Sequence, residues 1–487
     1  MNILKYLRKN GFDTLDTSFY SKIEEWESWY QADVPKFHRY RVYRGSGSYV
    51  RCRRLSLKMA KKLSEDIADL LLNERVKITI GALSKDEMGK AHKSDSKTEE
   101  FVKHVLANNN FLIMGNEYQE RKAYSGTVAY VPYIRNMAVD ASGRAVSGEI
   151  DINYVSAKNI YPLSWNNGRI SEVAFAFPKV YLRDKYVHLE MHRQNRDGTY
   201  YIENHVIKVS KSDYGDELDS AAWNEIPIFA GLAPKLETGS AEPQFVIDRL
   251  NIVNNADEDE TNPMGIAIFA NAEDVLESID LKYDSYANEF KLGRKRIFVA
   301  PEMLTTKDGD VVFDENDTVF YQLPEDYAAQ MQNEPIKESN MSLRIEEHSK
   351  AINDDLNMLS LKCGFGTERY RFDRGSVQTA TQVISENSDM FRMIKKHEII
   401  LEDVIRQLVS IIIRLGNTLG AGLNEAVEVA IDFDDSIIED KQAERQSDRQ
   451  EVSMGVMSLA EYRAKWYGET EDVAKSRLPE QQSEVME

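Results

Sequence analysis

The sequence predicts an α+β protein in several parts, with strands gathered in its first half and long helices in its second. Three observations carry this reading. Aromatic and β-branched residues alternate between turn signals up to about Asn255, apolar residues recur at spacings of three and four beyond Glu273, and no repeat of 20 to 50 residues runs through the 487-residue chain. With 42% hydrophobic residues, including 24 Tyr, 18 Phe and 5 Trp, the chain has the means to bury a large core.

Taken in order, FHRYRVY and YVRCRRL flank Gly45-Ser46-Gly47-Ser48 as the arms of a hairpin, and a helix is expected from about Ser56 to Asn73. Ser84 with Glu87 forms a capping-box pattern for a further helix. From Tyr118 to Tyr201 several antiparallel strands are expected, with Asp140-Ala-Ser-Gly and Asn195-Arg-Asp-Gly as turns. In the second part Leu276, Ile279, Tyr283, Tyr286 and Phe290 mark one amphipathic helix over Glu273 to Leu292, stopped by Gly293. A β-rich insert follows, Arg296 to Leu323, with Lys307-Asp308-Gly309-Asp310 as its turn and VVF and TVFYQL as strand-like runs. Beyond Pro335 a helix resumes through Ile345, Ile352, Leu356 and Leu359, so the whole reads as a helical hairpin with a β-module at its tip. Past a loop from Gly364 to Gln378, apolar residues from Val383 to Leu415 hold the helical period until Gly416, a helix of about 55 Å at 1.5 Å per residue. The charged tail carries a capping box at Ser458 and Glu461, with Gly468 as its stop. The resulting partition is 1–272, 273–295, 296–334, 335–362, 363–378, 379–434 and 435–487.

Charge and motif content exclude several functions. At a formal −20 the chain is not one that grips nucleic acid over its whole surface, although an acidic wall suits a channel that DNA must slide past. Neither a P-loop nor HExxH nor GxSxG occurs, so no familiar catalytic residue and no cofactor is assigned. Cys52 and Cys363 lie far apart with no Cys/His cluster for a metal, and read as buried reduced thiols. The N-terminus has no signal-peptide character and apolar stretches such as Leu408 to Ile413 are far too short to span a bilayer, so the expectation is a chain neither secreted nor membranous. Asp257-Glu-Asp-Glu260 reads as a solvated loop rather than a cation site. His397 and Glu398 are helical neighbours that do not face each other, and receive no catalytic role.

Two basic clusters stand out against the acidic background. Residues 36–62 carry Lys36, Arg39, Arg41, Arg44, Arg51, Arg53, Arg54, Lys58, Lys61 and Lys62 with no Asp or Glu. They form either a solvated surface, a seam with an acidic neighbouring subunit, or a docking face for an acidic partner or DNA. Lys291, Arg294, Lys295 and Arg296 gather where the first hairpin helix meets the β insert. In a lone subunit they neutralise a helix C-terminus, and in a ring they make a charged belt.

Several stretches resemble the portal proteins of siphovirus-type phages and prophages of Gram-positive bacteria. These are Trp29-Tyr30 before FHRYRVY, Met59-Ala-Lys-Lys62 leading to Ala68-Asp-Leu-Leu71 and Asn73-Glu74, Asn262-Pro-Met-Gly-Ile-Ala-Ile-Phe-Ala-Asn271, Ile279-Asp-Leu-Lys-Tyr-Asp-Ser285, Gly364-Phe-Gly366, and Thr379-Ala-Thr381 with Ser385-Glu-Asn387. The resemblance runs in order from about residue 26 to 468. It implies a portal fold: an α/β wing, two stem helices carrying a β-containing clip, a tunnel loop, a long kinked tunnel helix and a helical crown, assembled as a ring of about twelve copies. The partition above then corresponds to wing, first stem helix, clip, second stem helix, tunnel loop, long helix with wing return, and crown with tail.

The same resemblance implies a role at one capsid vertex of the virion. There the ring would nucleate head assembly with the major capsid and scaffolding proteins, dock the terminase large subunit, pass double-stranded DNA and bind head-completion adaptors, while itself catalysing nothing. In the tunnel loop Gly364, Phe365, Gly366, Glu368, Arg369, Tyr370, Arg371 and Arg374 are expected to project into the channel. Glycines 364, 366 and 375 would loosen the backbone, Thr379 would cap the helix that follows, and Glu368 and Asp373 would temper the arginines. Two alternatives stay open on the sequence: another phage ring component, such as a connector or baseplate protein, and a nucleic-acid enzyme with an unfamiliar site.

Overall fold

The computed structural model describes residues 2–44, 48–82, 96–139, 145–293, 296–299, 320–322, 336–339, 342–367, 369–372, 380–433, 441–467, 474–475 and 477–478. The chain opens on α1 (Ile3–Lys9) and α2 (Thr17–Tyr30). Asp16 caps α2 by accepting from the Ser18 amide at 2.9 Å, and Phe19, Ile23, Trp26 and Trp29 bury its inner face. Strands β1 (Arg39–Arg44) and β2 (Ser48–Arg53) pair antiparallel as expected, around a turn outside the described residues. Helix α3 (Met59–Leu71) is shorter than the sequence suggests, because Lys58 before it sits at a left-handed φ of 56°. After β3 (Lys77–Ala82) come α4 (Ser96–Asn108) and α5 (Phe111–Ser125); the Ser84/Glu87 pattern lies outside the described residues.

Helix α5 corrects one expectation, since residues 118–125 were read as strand. Its buried face is partly polar: the Gln119 side chain donates to Asp248 at 2.7 Å and Lys122 Nζ to Asp248 at 2.9 Å, all three side chains out of solvent. A helix that buries amide and ammonium groups shows little apolar periodicity, so its aromatic residues dominate the pattern.

The main run of strands begins only after α5, with β4 (Thr127–Val139), and continues as β5 (Ala145–Ser156), β6 (Ile160–Asn166), β7 (Arg169–Tyr181), β8 (Asp184–Gln194) and β9 (Tyr200–Lys208). The Asn195–Gly198 turn closes β8 onto β9, with the Asn195 amide donating to Thr199 O at 2.7 Å. The small elements β10 (Asp216–Leu218), α6 (Ser220–Asn224) and β11 (Lys235–Glu237) precede β12 (Val246–Arg249). Strands β6 to β9 form an antiparallel meander with β10 and β11 on the edge of β9, while β12, β4 and β5 make a second sheet. The stretch Met264 to Phe269 then threads the core. It passes Gly126 so closely that a Cβ on Gly265 would lie 2.4 Å from Gly126 O, a contact that only two glycines permit.

The second half starts with α7 (Glu273–Leu292), whose bounds are those read from the sequence. Strands β13 (Arg296–Val299), β14 (Phe320–Gln322) and β15 (Ile336–Ser339) form a small sheet, β13 pairing parallel with β14 and antiparallel with β15. The Lys307–Asp310 turn and the VVF run lie outside the described residues. Helix α8 (Ile345–Lys362) begins about ten residues later than the expected 335, because the backbone of 336–339 is engaged in β15 and the apolar period starts only at Ile345. Helix α9 (Ala380–Thr418) is continuous over 39 residues and passes Gly416, where the missing side chain makes room for Phe101 and Leu423. It is buried on all sides from Ile411 to Ile413, as expected of a helix that threads a core. The chain returns through β16 (Val427–Asp432), which pairs with β3, and ends in α10 (Lys441–Ser453) and α11 (Leu459–Tyr467). The capping box is present in both directions: Ser458 N donates to Glu461 at 2.8 Å and Glu461 N to Ser458 Oγ at 3.1 Å.

Candidate functional site

The candidate site is built on the antiparallel pair α7 and α8. Ion pairs tie it from base to tip: Lys362 to Asp274 at 3.0 Å, Lys282 to Asp355 at 2.6 Å, and Arg344 to Glu289 through two bonds of 3.0 Å. The fork of Arg344 holds the Glu289 carboxyl down at about 2, with His348 3.8 Å away adding to the effect. Ile352, Leu356 and Leu359 bury the inner face of α8.

The loop after α8 does not behave as the sequence suggests. Gly364, at φ +83°, closes the helix: its amide donates to Leu361 O at 3.2 Å and the Phe365 amide to Ser360 O at 2.9 Å. This is a Schellman cap, so Gly364 fixes the loop rather than loosening it. A Cβ there would also stand 2.8 Å from Met393 Cγ of α9. Phe365 and Tyr370 are corrected as channel-facing residues. Phe365 is 1% exposed and Tyr370 8%, and their rings meet edge to face at 5.8 Å. The Tyr370 hydroxyl donates to Asp66 of α3 at 2.7 Å, and Lys62 pairs with the other oxygen of that carboxylate at 2.7 Å. Burial first, then the Asp66 charge, pushes the phenol far above its ordinary value. Phe372 packs edge-on against Tyr286 at 5.4 Å, and its amide donates to Asn353 Oδ1 at 2.6 Å.

The segment therefore lies back on its own subunit. Because Tyr370 faces in, its neighbours Arg369 and Arg371 face out, and both are exposed. Gly366 sits buried at φ +79° beside them. Glu368, Asp373, Arg374, Gly375 and Thr379 lie outside the described residues. Burial also pushes the Cys363 thiol up to about 12, which keeps it protonated. Among the described residues no His, Cys, Asp and Glu group suits a metal ion, and no helix is long and apolar enough to cross a membrane.

Of the second cluster, Lys291 is exposed in the last turn of α7 and the Arg296 backbone opens β13 opposite Ser339. Arg294 and Lys295 lie outside the described residues. The basic hairpin divides by strand face. Register places Arg39 opposite Arg53, Arg41 opposite Arg51 and Tyr43 opposite Tyr49, so all six share one face. At its base Arg39 is paired with Asp33, Arg53 donates to Ala32 O at 3.3 Å, and Arg54 donates to Phe37 O at 2.7 Å. Arg44 opposes Ser48 beside the turn, and Lys58 is exposed before α3.

The family model described as phage portal protein, SPP1 Gp6-like, matches residues 13–487. The chain belongs to that family. A search of curated proteins finds no match. The portal family is a structural one.

Sequence reasoning missed three positions that organise this portal chain. Asp66 anchors the loop from 304 residues away, and nothing local marks it. Asp280 takes His38 Nε2 at 3.0 Å and the Leu57 amide at 2.9 Å, which fixes the base of the basic hairpin on α7. Since the Val34 amide donates to His38 Nδ1 at 2.9 Å, that ring is held as the Nε2–H tautomer, donating to Asp280. Arg344 completes the hairpin tip, and its signal is the Glu289 partner that an antiparallel helix pair would bring opposite it.

Proposed function

We propose that the chain is one subunit of a closed portal ring, of about twelve copies, at a single capsid vertex of a phage virion. The supporting observation is the family match over residues 13–487, a range that takes in the helix pair, the small sheet, the loop and the long helix. In this reading 1–272 is the wing, α7 and α8 are the stem, 296–334 is the clip, extended by β15, 379–434 is the long tunnel helix with its return strand, and 435–487 is the crown and tail. The ring passes double-stranded DNA during packaging, retention and ejection. It docks the terminase large subunit, associates with the major capsid and scaffolding proteins, and later takes up head-completion adaptors.

Contact with DNA then falls to cations on an acidic body. Arg369 and Arg371 stand out from a loop whose Tyr370 is tied to Asp66, and Lys291 and Arg296 belong to the tip of the stem. A few arginines on a chain of net −20 attract phosphate locally without gripping it, which sliding requires. Substituting Arg369 and Arg371 by Ala is expected to leave rings intact while shortening or slowing DNA packaging. Sedimentation and negative-stain images of the wild type provide the prior test, since a monomer at micromolar concentration and moderate salt defeats the ring altogether.

A further inference from the structure

Past its base, the β1–β2 hairpin pairs with no other strand of its own subunit among the described residues. Its two strands form a sheet with each other alone, and an isolated two-stranded hairpin is marginal in water. Its base is fixed, because Asp280 holds His38 and Leu57 while Asp284 accepts from the Leu55 amide at 3.1 Å. Beyond that base the strands stand exposed, Val42 at 44%, Tyr43 at 58% and Tyr49 at 67%. One face sets Arg41 directly against Arg51, a like-charge pair that costs stability in a lone hairpin. Among the described residues neither arginine has an ion-pair or hydrogen-bond partner. Next to them Tyr43 and Tyr49 meet edge to face at 5.3 Å.

We propose that this hairpin is an arm that docks on a second copy of the same chain, its arginine and tyrosine face seated on an acidic surface of the neighbour. Arg and Tyr are the residues that concentrate binding energy in protein interfaces. Charge selects the partner. Residues 36–62 hold ten cations and no Asp or Glu, and lift the formal charge from −30 on the rest of the chain to −20, so the complementary surface is supplied by another copy. DNA is the poorer occupant, because the acidic body that carries the arm repels phosphate. A contact from one surface patch to a different patch on the neighbour is heterologous, the kind that closes rings. The inference rests on the ring reading above.

The test compares the wild type with Arg41→Glu/Arg51→Glu and with Tyr43→Ala/Tyr49→Ala by sedimentation at moderate salt, circular dichroism serving as the check on folding. Both variants should keep the wild-type spectrum and assemble at least tenfold more weakly, while Arg41→Lys/Arg51→Lys restores part of the loss. A photoreactive residue at Tyr49, in a mixture of isotopically light and heavy chains, should give cross-links joining light to heavy; links confined to one chain overturn the proposal without relying on either variant. Normal ring assembly by the glutamate variant also overturns the arm and leaves the portal reading standing, including the case where only binding of DNA fragments is lost. A wild type that never assembles removes both.

Discussion

Two hairpins leave the same region of this subunit, and they are stabilised in opposite ways. The helical hairpin of α7 and α8 carries an ion pair at base, middle and tip, buries Ile352, Leu356 and Leu359, and is covered by Phe372 of its own loop. The β hairpin opposes Arg to Arg and leaves both tyrosines in solvent. Opposite charges paired within a hairpin make it self-sufficient, whereas like charges paired within a hairpin leave its compensation to something outside. The first kind of hairpin serves as a strut, and the second as a contact.

The comparison is broken most directly at the strut. Phe365→Ala should cost about 3–4 kcal/mol of subunit stability, because the ring is fully buried between the α8 cap and Tyr370. By contrast Arg41→Ala/Arg51→Ala should change the stability of the isolated subunit by no more than about 0.5 kcal/mol. Chemical denaturation measures both, and equal losses would erase the distinction between strut and contact. An intermediate effect is expected from Tyr370→Phe, about 1.5 kcal/mol, since it removes one bond to the Asp66 side chain, which keeps Lys62. Hydrogen exchange should then rise across 366–372 more than elsewhere, and uniform exchange would show that the hydroxyl does not anchor the loop.

Much of the strut was legible in the sequence because its signals are local. The bounds of α7 follow from apolar spacing and Gly293, and the capping box at Ser458 needs only four residues. The loop was misread because its decisive contacts are not local: a glycine that frees a backbone and one that caps a helix look identical until Ser360 and Leu361 are seen to accept from it and its successor. The Arg-Tyr-Arg run suggests a cationic loop, and only Asp66, far away in the chain, turns the tyrosine inward. Helix α5 was lost for a related reason, since Gln119 and Lys122 bury polar groups that a hydrophobicity pattern counts as surface. The β15 pairing depends on β13, on the other side of the insert, and leaves no helix-like period to extend.

The finest difference between the hairpins is their response to acid. Glu289 is held at about 2 by the two bonds from Arg344, against an ordinary value of 4.5. A carboxyl whose folded value is depressed binds fewer protons folded than unfolded, so its contribution is fully present above about pH 4.5 and is lost as the pH falls toward 2. The tip of the helical hairpin should accordingly loosen within that window, read as rising exchange or proteolysis around residues 286–292 and 344–348. Glu289→Gln has no charge to lose: its tip should already be looser at neutral pH and should change little between pH 4.5 and 2. Beyond the Arg39–Asp33 pair at its base, the face of the β hairpin that carries Arg41 and Arg51 has no carboxylate among its strand residues, so in an isolated subunit the exposure of Arg41, Tyr43, Tyr49 and Arg51 should stay constant over the same range. If the Gln variant keeps the wild-type acid profile at the tip, the acid-sensitive charge is not that of Glu289, and the Arg344 fork is not what holds the tip.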